Sequence, residues 1–335
     1  MTRSTIVLLL AALCGAPFAQ AQSYESQCRL LASLSFPDAH RAPAAALAAL
    51  AQCSSTRLYY GIGMASDPVR ARQCALAATD GDQPFNEGRG VLMMVYANGQ
   101  GVASDYVLAR KAACEAGGAP AEIAGRLAHL GEMEAGRKGA APSISVCDDA
   151  TSGYMGGWCA ALSRDLKEQQ RGTAFARLIA PWNTQQKQAF ARLESRARAF
   201  IETRASLEID LSGTARAALT IHEESRQLED FRASVAAFER GALPGAGQAE
   251  YARLDARLNA VYRELKGLPA PRFGTIGLAG IQQTQRAWLV YREAWVVFGK
   301  VRYPGVAPES WRAWLTRKRI AMLENLAVQL RLDSN

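Results

Sequence analysis

The stretch that decides the fold is residues 285–298, with the sequence QRAWLVYREAWVVF. Its four large aromatic residues follow one another at intervals of three, four and three positions: Trp288, Tyr291, Trp295 and Phe298. This periodicity places the four rings on one side of an α-helix and indicates that this side is buried. We therefore expect the rings to form the core of a bundle of three C-terminal helices, near 247–267, 276–302 and 308–331.

Helical periodicity extends upstream of this bundle. Residues 183–240 predict two long helices, interrupted at 207–214, where Asp210 or Ser212 is available to cap the next helix. Two apolar stripes run along them: Phe190, Leu193, Ala197 and Phe200, then Leu219, Leu228, Phe231, Val235 and Phe238. The alternation of apolar and polar residues that is typical of strands is absent. We predict an all-α fold, in which a helical-repeat (solenoid) domain precedes a long helical hairpin and the three-helix bundle.

A repeat near the start of the chain predicts the solenoid. The segment GIGMASDPVRAR at 61–72 recurs 38 residues later as GQGVASDYVLAR at 99–110. Such a period is typical of helix pairs that bury their apolar faces by stacking on one another. The pattern resembles the Sel-like repeats, relatives of the tetratricopeptide repeats, with a degenerate third copy at 119–130. In this pattern Asp67 and Asp105 cap the second helix of each pair, and small residues let the helices approach closely: Ala71, Ala77, Ala78, Ala109, Ala113 and Ala116.

Residues 1–21 predict an export signal. A basic start is followed by an apolar run at 6–13, too short to span a membrane, and by a small-x-small cleavage site at 19–21. The mature protein is then expected in the periplasm or outside the cell, with no membrane span. A rival interpretation is a lipoprotein acylated at Cys14, but Leu13 stands where a small residue is expected.

Six further cysteines lie in the N-terminal half: Cys28, Cys53, Cys74, Cys114, Cys147 and Cys159. An even number in an oxidising compartment predicts three disulfides. No Cys-x-x-Cys spacing occurs, which argues against a zinc site or a redox site. The sequence does not fix the pairing, and sequential pairing that begins with Cys28–Cys53 is our expectation.

Charge divides the chain unevenly. Without Arg3, which the signal would remove, 38 basic and 31 acidic residues remain, a net charge of +7. Residues 22–160 carry 11 basic and 13 acidic residues, whereas residues 247–335 carry 14 and 7. A basic exported domain suggests an anionic partner such as a cell-wall polymer, although solvated arginines on helix surfaces explain the same excess. No nucleic-acid partner is expected.

Residues that carry catalysis are scarce. The three histidines are far apart, no His-Glu-x-x-His pair is present, and neither Gly-x-Ser-x-Gly nor Ser-x-x-Lys occurs. The one compact polar cluster is Glu208, Asp210 and residues 212–214, where two carboxylates could bind a metal or act as acid and base. A helix break with a capping Asp or Ser explains the same residues without a function. We therefore expect a binding protein without enzymatic activity, cofactor or metal.

The C-terminal helices carry a family resemblance. Its residues are Leu258, Asn259, Tyr262, Gln285, Arg286, Trp288, Tyr291, Arg292, Glu293, Arg319 and Leu323. They resemble LprI, a lysozyme-inhibitor family of bacterial envelope proteins. The resemblance covers about a quarter of the chain and implies that the protein protects the cell wall by binding lysozyme. Members usually carry cysteines that tie two of these helices together, whereas residues 247–335 contain none.

Binding residues are expected on the C-terminal helices and in the loop at 300–308. Three polar side chains beside the aromatic stripe form either a structural network or a binding site: Gln285, Arg286 and Arg292. The partners expected for a network are Asp255, Asn259 and Glu293. The loop is the expected exposed tip, because inhibitors commonly present a rigid loop to an enzyme cleft. The candidate contacts are Gln285, Arg286, Arg292, Arg302, Tyr303, Arg312 and Arg319.

The sequence divides into four predicted regions: a signal at 1–21, a repeat domain at 22–170, a helical hairpin at 171–245 and the LprI-like domain at 246–335. A Gly- and Pro-containing stretch just before residue 246 marks the last boundary. The rival to a lysozyme inhibitor is a periplasmic scaffold whose repeats bind another envelope protein.

Overall fold

The computed structural model describes residues 16–50, 52–78, 84–136, 142–268 and 274–334. Within them the chain forms α-helices and no β-strand, so the all-α prediction is confirmed. In chain order the helices are α1 (Ala16–Leu31), α2 (Ser55–Tyr60), α3 (Pro68–Ala77), α4 (Glu87–Asn98), α5 (Tyr106–Ala116), α6 (Pro120–Glu134), α7 (Gly153–Ile179), α8 (Thr184–Leu207), α9 (Arg216–Glu239), α10 (Gln248–Gly267), α11 (Leu278–Arg302) and α12 (Pro308–Ser334).

The chain divides into two compact units, Met1–Met155 and Gly156–Asn335. Helices α1 to α6 belong to the first unit and α8 to α12 to the second, and the division lies near the start of α7. The sequence placed the end of the repeat domain later, at residue 170.

The predicted export signal is described only in part. Its residues up to 15, including Cys14, lie outside the described ranges. Helix α1 begins at Ala16 and continues across the predicted cleavage site after Ala21. In the described part of the chain, no helix combines the length and the apolar character needed to cross a membrane.

The two sequence repeats fold as two helix hairpins, α2–α3 and α4–α5, with the same turn. In each, a glycine in the left-handed region ends the first helix, Gly61 at φ 72° and Gly99 at φ 64°. An aspartate then begins the second helix. Asp67 accepts a hydrogen bond from the Arg70 amide at 3.0 Å, and Asp105 accepts one from the Leu108 amide at 2.9 Å. Both predicted caps are confirmed.

Only some of the small residues that were predicted to lie between the helices of the repeats are buried. Four are fully buried: Ala71, Ala109, Ala113 and Ala116. Ala77 and Ala78 are exposed instead, because α3 ends at Ala77 and both side chains lie at the open end of the helix. The region of the degenerate third copy belongs to one helix, α6.

All six predicted cysteines are disulfide-bonded, but the expected sequential pairing is wrong. Cys28 pairs with Cys114 and Cys53 pairs with Cys74. The first bond follows from packing, because α1 lies against α5 and α6 rather than against the segment that follows it in sequence. Cys147 and Cys159 are disulfide-bonded as well.

The second unit is built around one aromatic core. The predicted stripe on α11 is buried as expected, with Trp295 and Phe298 at 0 % exposure. These two rings contact aromatic residues from α8, α9 and α12, including Phe190, Phe231 and Trp311. The hairpin and the C-terminal helices therefore share one core, and the boundary predicted at residue 245 does not separate two cores.

Helix α11 occupies the centre of this unit. It runs antiparallel to α8, because Gly280 at its start lies against Leu207 and Phe298 near its end lies against Phe190. Gly299 allows α12 to approach closely, since a side chain there would collide with the ring of Trp311. The predicted stripe of α9 is buried at three positions, Phe231, Val235 and Phe238, whereas Leu219 near the start of the helix is exposed.

Candidate functional site

Three connections lie at one end of the second unit. They are the residues between α7 and α8 at 180–183, between α9 and α10 at 240–247, and between α11 and α12 at 303–307. Each connection joins the end of one long helix to the start of the next, and the antiparallel packing of these helices brings the three connections together. The Ser310 hydroxyl links two of them by donating to the Ala246 carbonyl oxygen at 2.7 Å.

Glu239, the last residue of α9, anchors this end. Its carboxylate accepts two hydrogen bonds from Arg302, at 3.0 and 2.6 Å, one from the Tyr303 hydroxyl at 2.7 Å and one from the Trp182 indole at 3.2 Å. Burial acts to raise the pKa of Glu239, but these donors outweigh it and the pKa is lowered. Hydrogen bonds to a charged carboxylate are among the strong ones, so the three connections are held on one ionised group.

The anchoring corrects the expected role of two loop residues. Tyr303 is 8 % exposed, so the prediction that it is an exposed tip residue is wrong. Arg302 stacks on the Trp182 ring at 5.2 Å while it binds Glu239. The exposed residues lie just beyond, at Pro304, Gly305 and Ala307.

We call the exposed part of this end the loop-end surface and define it by Leu243, Pro304, Gly305 and Ala307. Leu243, in the neighbouring connection, is 40 % exposed. The Val306 amide closes the turn by donating to the Tyr303 carbonyl oxygen at 3.0 Å. The loop-end surface is therefore a small, weakly polar surface on a fixed backbone.

A second group of predicted residues forms an ion-pair cluster on α11 and α12. Glu293 accepts hydrogen bonds from Arg292 at 3.0 Å and from Arg312 at 2.8 Å. The Arg292 guanidinium also lies over the Trp288 ring at 5.0 Å and near Asp255 at 3.8 Å. Asp255 in turn accepts a hydrogen bond from Asn259 at 3.2 Å, so all three expected partners belong to this cluster.

The third group is buried. Arg319, at 0 % exposure, donates to both carboxylate oxygens of Glu208 at 2.7 and 2.6 Å and to the Gln285 side chain at 2.9 Å. Arg319, a candidate contact in the sequence, is therefore buried. Arg286 is the exposed member of the predicted set.

The buried ion pair extends to α9. Arg204 lies 3.7 Å from Glu208 and pairs with Glu223, which also accepts from Gln227 at 2.7 Å. Burial is the main cause that lowers the pKa of Arg204 to about 10. The network joins α8, α9, α11 and α12. Two of its members, Glu208 and Arg319, are 111 positions apart in the sequence, so no short-range pattern indicates the network.

The polar cluster predicted around Glu208 does not form one site. Glu208 binds Arg319, whereas Asp210 accepts hydrogen bonds from the Ser212 amide at 3.0 Å and the Thr275 amide at 3.1 Å. The predicted helix cap is also wrong, because α9 begins after Ala215 with no side-chain cap. Asp210 ties two loops together instead, and these hydrogen bonds, led by that from Ser212, lower its pKa.

Residues 239–323 match the family model of the lysozyme inhibitor LprI. No curated protein matches the chain, and no solved structure does. The match confirms the resemblance of the C-terminal helices and begins at Glu239, so it includes the carboxylate that anchors the loops. We call residues 239–323 the LprI segment.

Part of the basic charge of the LprI segment is held in ion pairs with other helices. Arg317 pairs with Glu250, Lys318 with Asp230 at 2.6 Å, and Arg257 with Glu324 at 2.6 Å. These three cations do not form one continuous basic face, because each is directed at a carboxylate of another element. Across the described residues no group of three potential metal ligands is present.

Proposed function

We propose that this protein binds a lysozyme and inhibits it through the loop-end surface. The observation that carries the proposal is the match of residues 239–323 to a lysozyme-inhibitor family. The loop at 303–307 lies within that segment. The first residue of the loop, Tyr303, donates a hydrogen bond to Glu239, which anchors the loop.

Anchoring favours an inhibitory role for a physical reason. A loop that is ordered before binding loses less conformational entropy when it enters an enzyme cleft, so more of its contact energy appears as affinity. The buried Tyr303 and the stacked Arg302 fix the base of the loop, whereas Pro304 and Gly305 are exposed at its tip. A narrow tip without a large side chain fits a cleft better than a broad helix face does.

Charge does not oppose the proposal as strongly as the sequence suggests. Common lysozymes are basic, and a basic partner would be repelled. In the LprI segment, however, two of the cations near the loop are neutralised, Arg302 by Glu239 and Arg312 by Glu293. The repulsion at the loop-end surface is therefore weaker than the net charge implies.

The test is Gly305→Trp in the full chain, with inhibition measured as the slowed clearing of a bacterial cell suspension by lysozyme. A Cβ atom added at the exposed Gly305 meets no atom within 4 Å, so the added ring should leave the fold intact while it blocks the tip. Gly277→Trp is the matched control, because Gly277 is equally unobstructed and lies at the opposite end of α11. We expect inhibition to fall at least tenfold for Gly305→Trp only. Equal loss in both variants, or no inhibition by the unmodified chain, would overturn the proposal.

We also propose that the chain acts outside the cytoplasm. Its six disulfide-bonded cysteines and the predicted signal at 1–21 support this location. A scaffold function of the Sel-like repeats is the alternative. It is favoured by a groove of about 660 Å³ in the first unit, lined by residues that include Tyr59, Tyr60 and Asn98.

A further inference from the structure

A second cavity lies in the second unit, outside the LprI segment. It is a cleft of about 300 Å³ between α7, α8 and α9, at the lower end of the range of small-molecule sites. Its lining residues are mostly charged, with Ile201 and Leu228 as the apolar floor. Ile201 is 6 % exposed and Leu228 is packed against the core, so the floor is fixed by the fold.

Most charges around the cleft neutralise one another. Arg232 donates to both oxygens of Glu168 at 2.7 and 2.6 Å, and Arg171 pairs with Glu229 at 2.8 Å. Two further arginines of the lining pair with carboxylates of their own helices, Arg198 with Glu194 and Arg164 with Asp165. The first two of these pairs, Arg232–Glu168 and Arg171–Glu229, hold α7 on α9.

Three charged groups of the lining remain. Within the described part of the chain, Glu202, Glu224 and Lys167 make no hydrogen bond or ion pair. Burial, followed by the neighbouring charge of Glu202, raises the pKa of Glu224. Two carboxylates therefore face the same space at a net charge of −1 once Lys167 is counted, and a ligand cation there would relieve their repulsion.

One more lining atom lacks a partner. The Ser225 hydroxyl oxygen, one residue after Glu224, is buried and has no hydrogen-bond partner in the described residues. Buried polar atoms are normally satisfied, so an unsatisfied hydroxyl in the wall of a cavity indicates a missing donor or acceptor. A ligand in the cleft would supply it once the hydroxyl turns toward the cleft.

We propose that this cleft binds a small ligand with an ammonium group on an aliphatic chain. The ammonium lies between Glu202 and Glu224 and donates to both carboxylates, and the aliphatic carbons cover Ile201 and Leu228. An ammonium carries three donors and no acceptor, which matches two carboxylates and one hydroxyl. A calcium ion fits less well, because it takes six to eight oxygen ligands and, among the described residues, no third His, Cys, Asp or Glu side chain joins the two glutamates.

The test is a titration of the full, isotope-labelled chain with n-pentylamine at neutral pH, followed by NMR. We expect amide shifts clustered on α8 and α9, and an affinity at least about tenfold lower in Glu224→Gln and in Glu202→Gln, because each loses a charged hydrogen bond. Glu229→Gln is the matched control, since Glu229 lines the same cleft but is paired with Arg171.

The outcomes separate the proposal from its rivals. Affinity that falls equally in Glu229→Gln would reduce the effect to nonspecific charge attraction and overturn the proposal. Equal binding of n-pentanol would show that the carboxylates are not used, and displacement of the amine by calcium at stoichiometric concentration would assign the site to a metal. Lysozyme inhibition is expected to be unchanged in Glu224→Gln, so this proposal and the lysozyme proposal can fail separately.

Discussion

The two units of this protein are stabilised by different means. The first unit, Met1–Met155, packs short helices through alanines and is cross-linked by Cys28–Cys114 and Cys53–Cys74. The second unit, Gly156–Asn335, contains all six tryptophans and buries three of them completely or almost so, Trp288, Trp295 and Trp311. Alanine contacts bury little apolar area per residue, so disulfides contribute where the core is small, whereas no cysteine belongs to the described aromatic core of the second unit.

Both units nevertheless bury an arginine and a glutamate at or near 0 % exposure. In the first unit, Glu122 accepts from the amides of Ala119, Thr151 and Ser152 at 2.7 to 2.9 Å, and Arg126 lies 3.9 Å away. In the second unit, the side chain of Arg319 donates to the Glu208 carboxylate.

The hydrogen-bond donors to Glu122 and Glu208 differ, and this difference shows which elements each carboxylate holds together. Backbone donors fix Glu122 to two connecting segments, and burial is outweighed by these hydrogen bonds, so its pKa is lowered. Glu208 instead ties α8 to α12 through Arg319. The buried charge of the first unit orders loops, and that of the second orders helices.

The largest effect is expected from the double substitution Cys28→Ser with Cys114→Ser. The bond spans 86 residues, and loop-closure entropy assigns such a cross-link about 4.5 kcal/mol. Because every tryptophan lies in the second unit, urea unfolding followed by tryptophan fluorescence reports that unit, and far-UV circular dichroism reports both. We expect a destabilised transition in circular dichroism and an unchanged one in fluorescence. A fluorescence transition that moves by the same amount would contradict independent stabilisation.

Arg319→Met should have the next largest effect, in the second unit. It leaves Glu208 buried with Arg204 3.7 Å away as its remaining cation, which costs about 4 kcal/mol in the free energy of unfolding. Tryptophan fluorescence during urea unfolding measures it. Glu208→Gln added to Arg319→Met should recover part of the loss, because the uncompensated charge is removed. A loss below about 1 kcal/mol for Arg319→Met would show that the ion pair is not important for stability.

The smallest effect is expected from Asp105→Ala, which removes the cap of α5. The loss of one side-chain acceptor at a helix start costs about 1 kcal/mol. Asp38→Ala is the control, because that side chain is fully exposed and pairs with Arg41 three residues away. Circular dichroism should show the first unit destabilised by Asp105→Ala only. Equal stability of the two variants would mean that the repeat turn does not depend on its aspartate.

Features that depend on neighbouring residues could be predicted from the sequence. The spacing of Trp288, Tyr291 and Trp295 fixes one face of a helix whatever surrounds it, and the cap of Asp105 needs only the amide three residues later. Residues 258–323 also carry enough of the LprI pattern for the segment to be recognised.

The candidate site could be predicted only in part, because its geometry depends on distant residues. The sequence placed Arg302 and Tyr303 in an exposed loop at 300–308, whereas Arg302 ends α11 and Tyr303 is buried. Both bind Glu239, 63 and 64 positions earlier in the chain, and no local pattern connects that residue with them. The same reason explains why the pairing of Cys28 was mistaken.

By itself, the sequence determined the helical class, the repeat turns, the number of bonded cysteines and the resemblance of the C-terminal segment to a known family, because periodicity, capping and composition act over a few residues. The tertiary structure decided which charges are paired, which cysteines meet and which loop residues remain exposed. Those outcomes depend on which helices become neighbours when the apolar surfaces are buried. A charged side chain such as Arg319 is directed at the carboxylate that packing brings within reach, and its position in the sequence does not reveal that carboxylate.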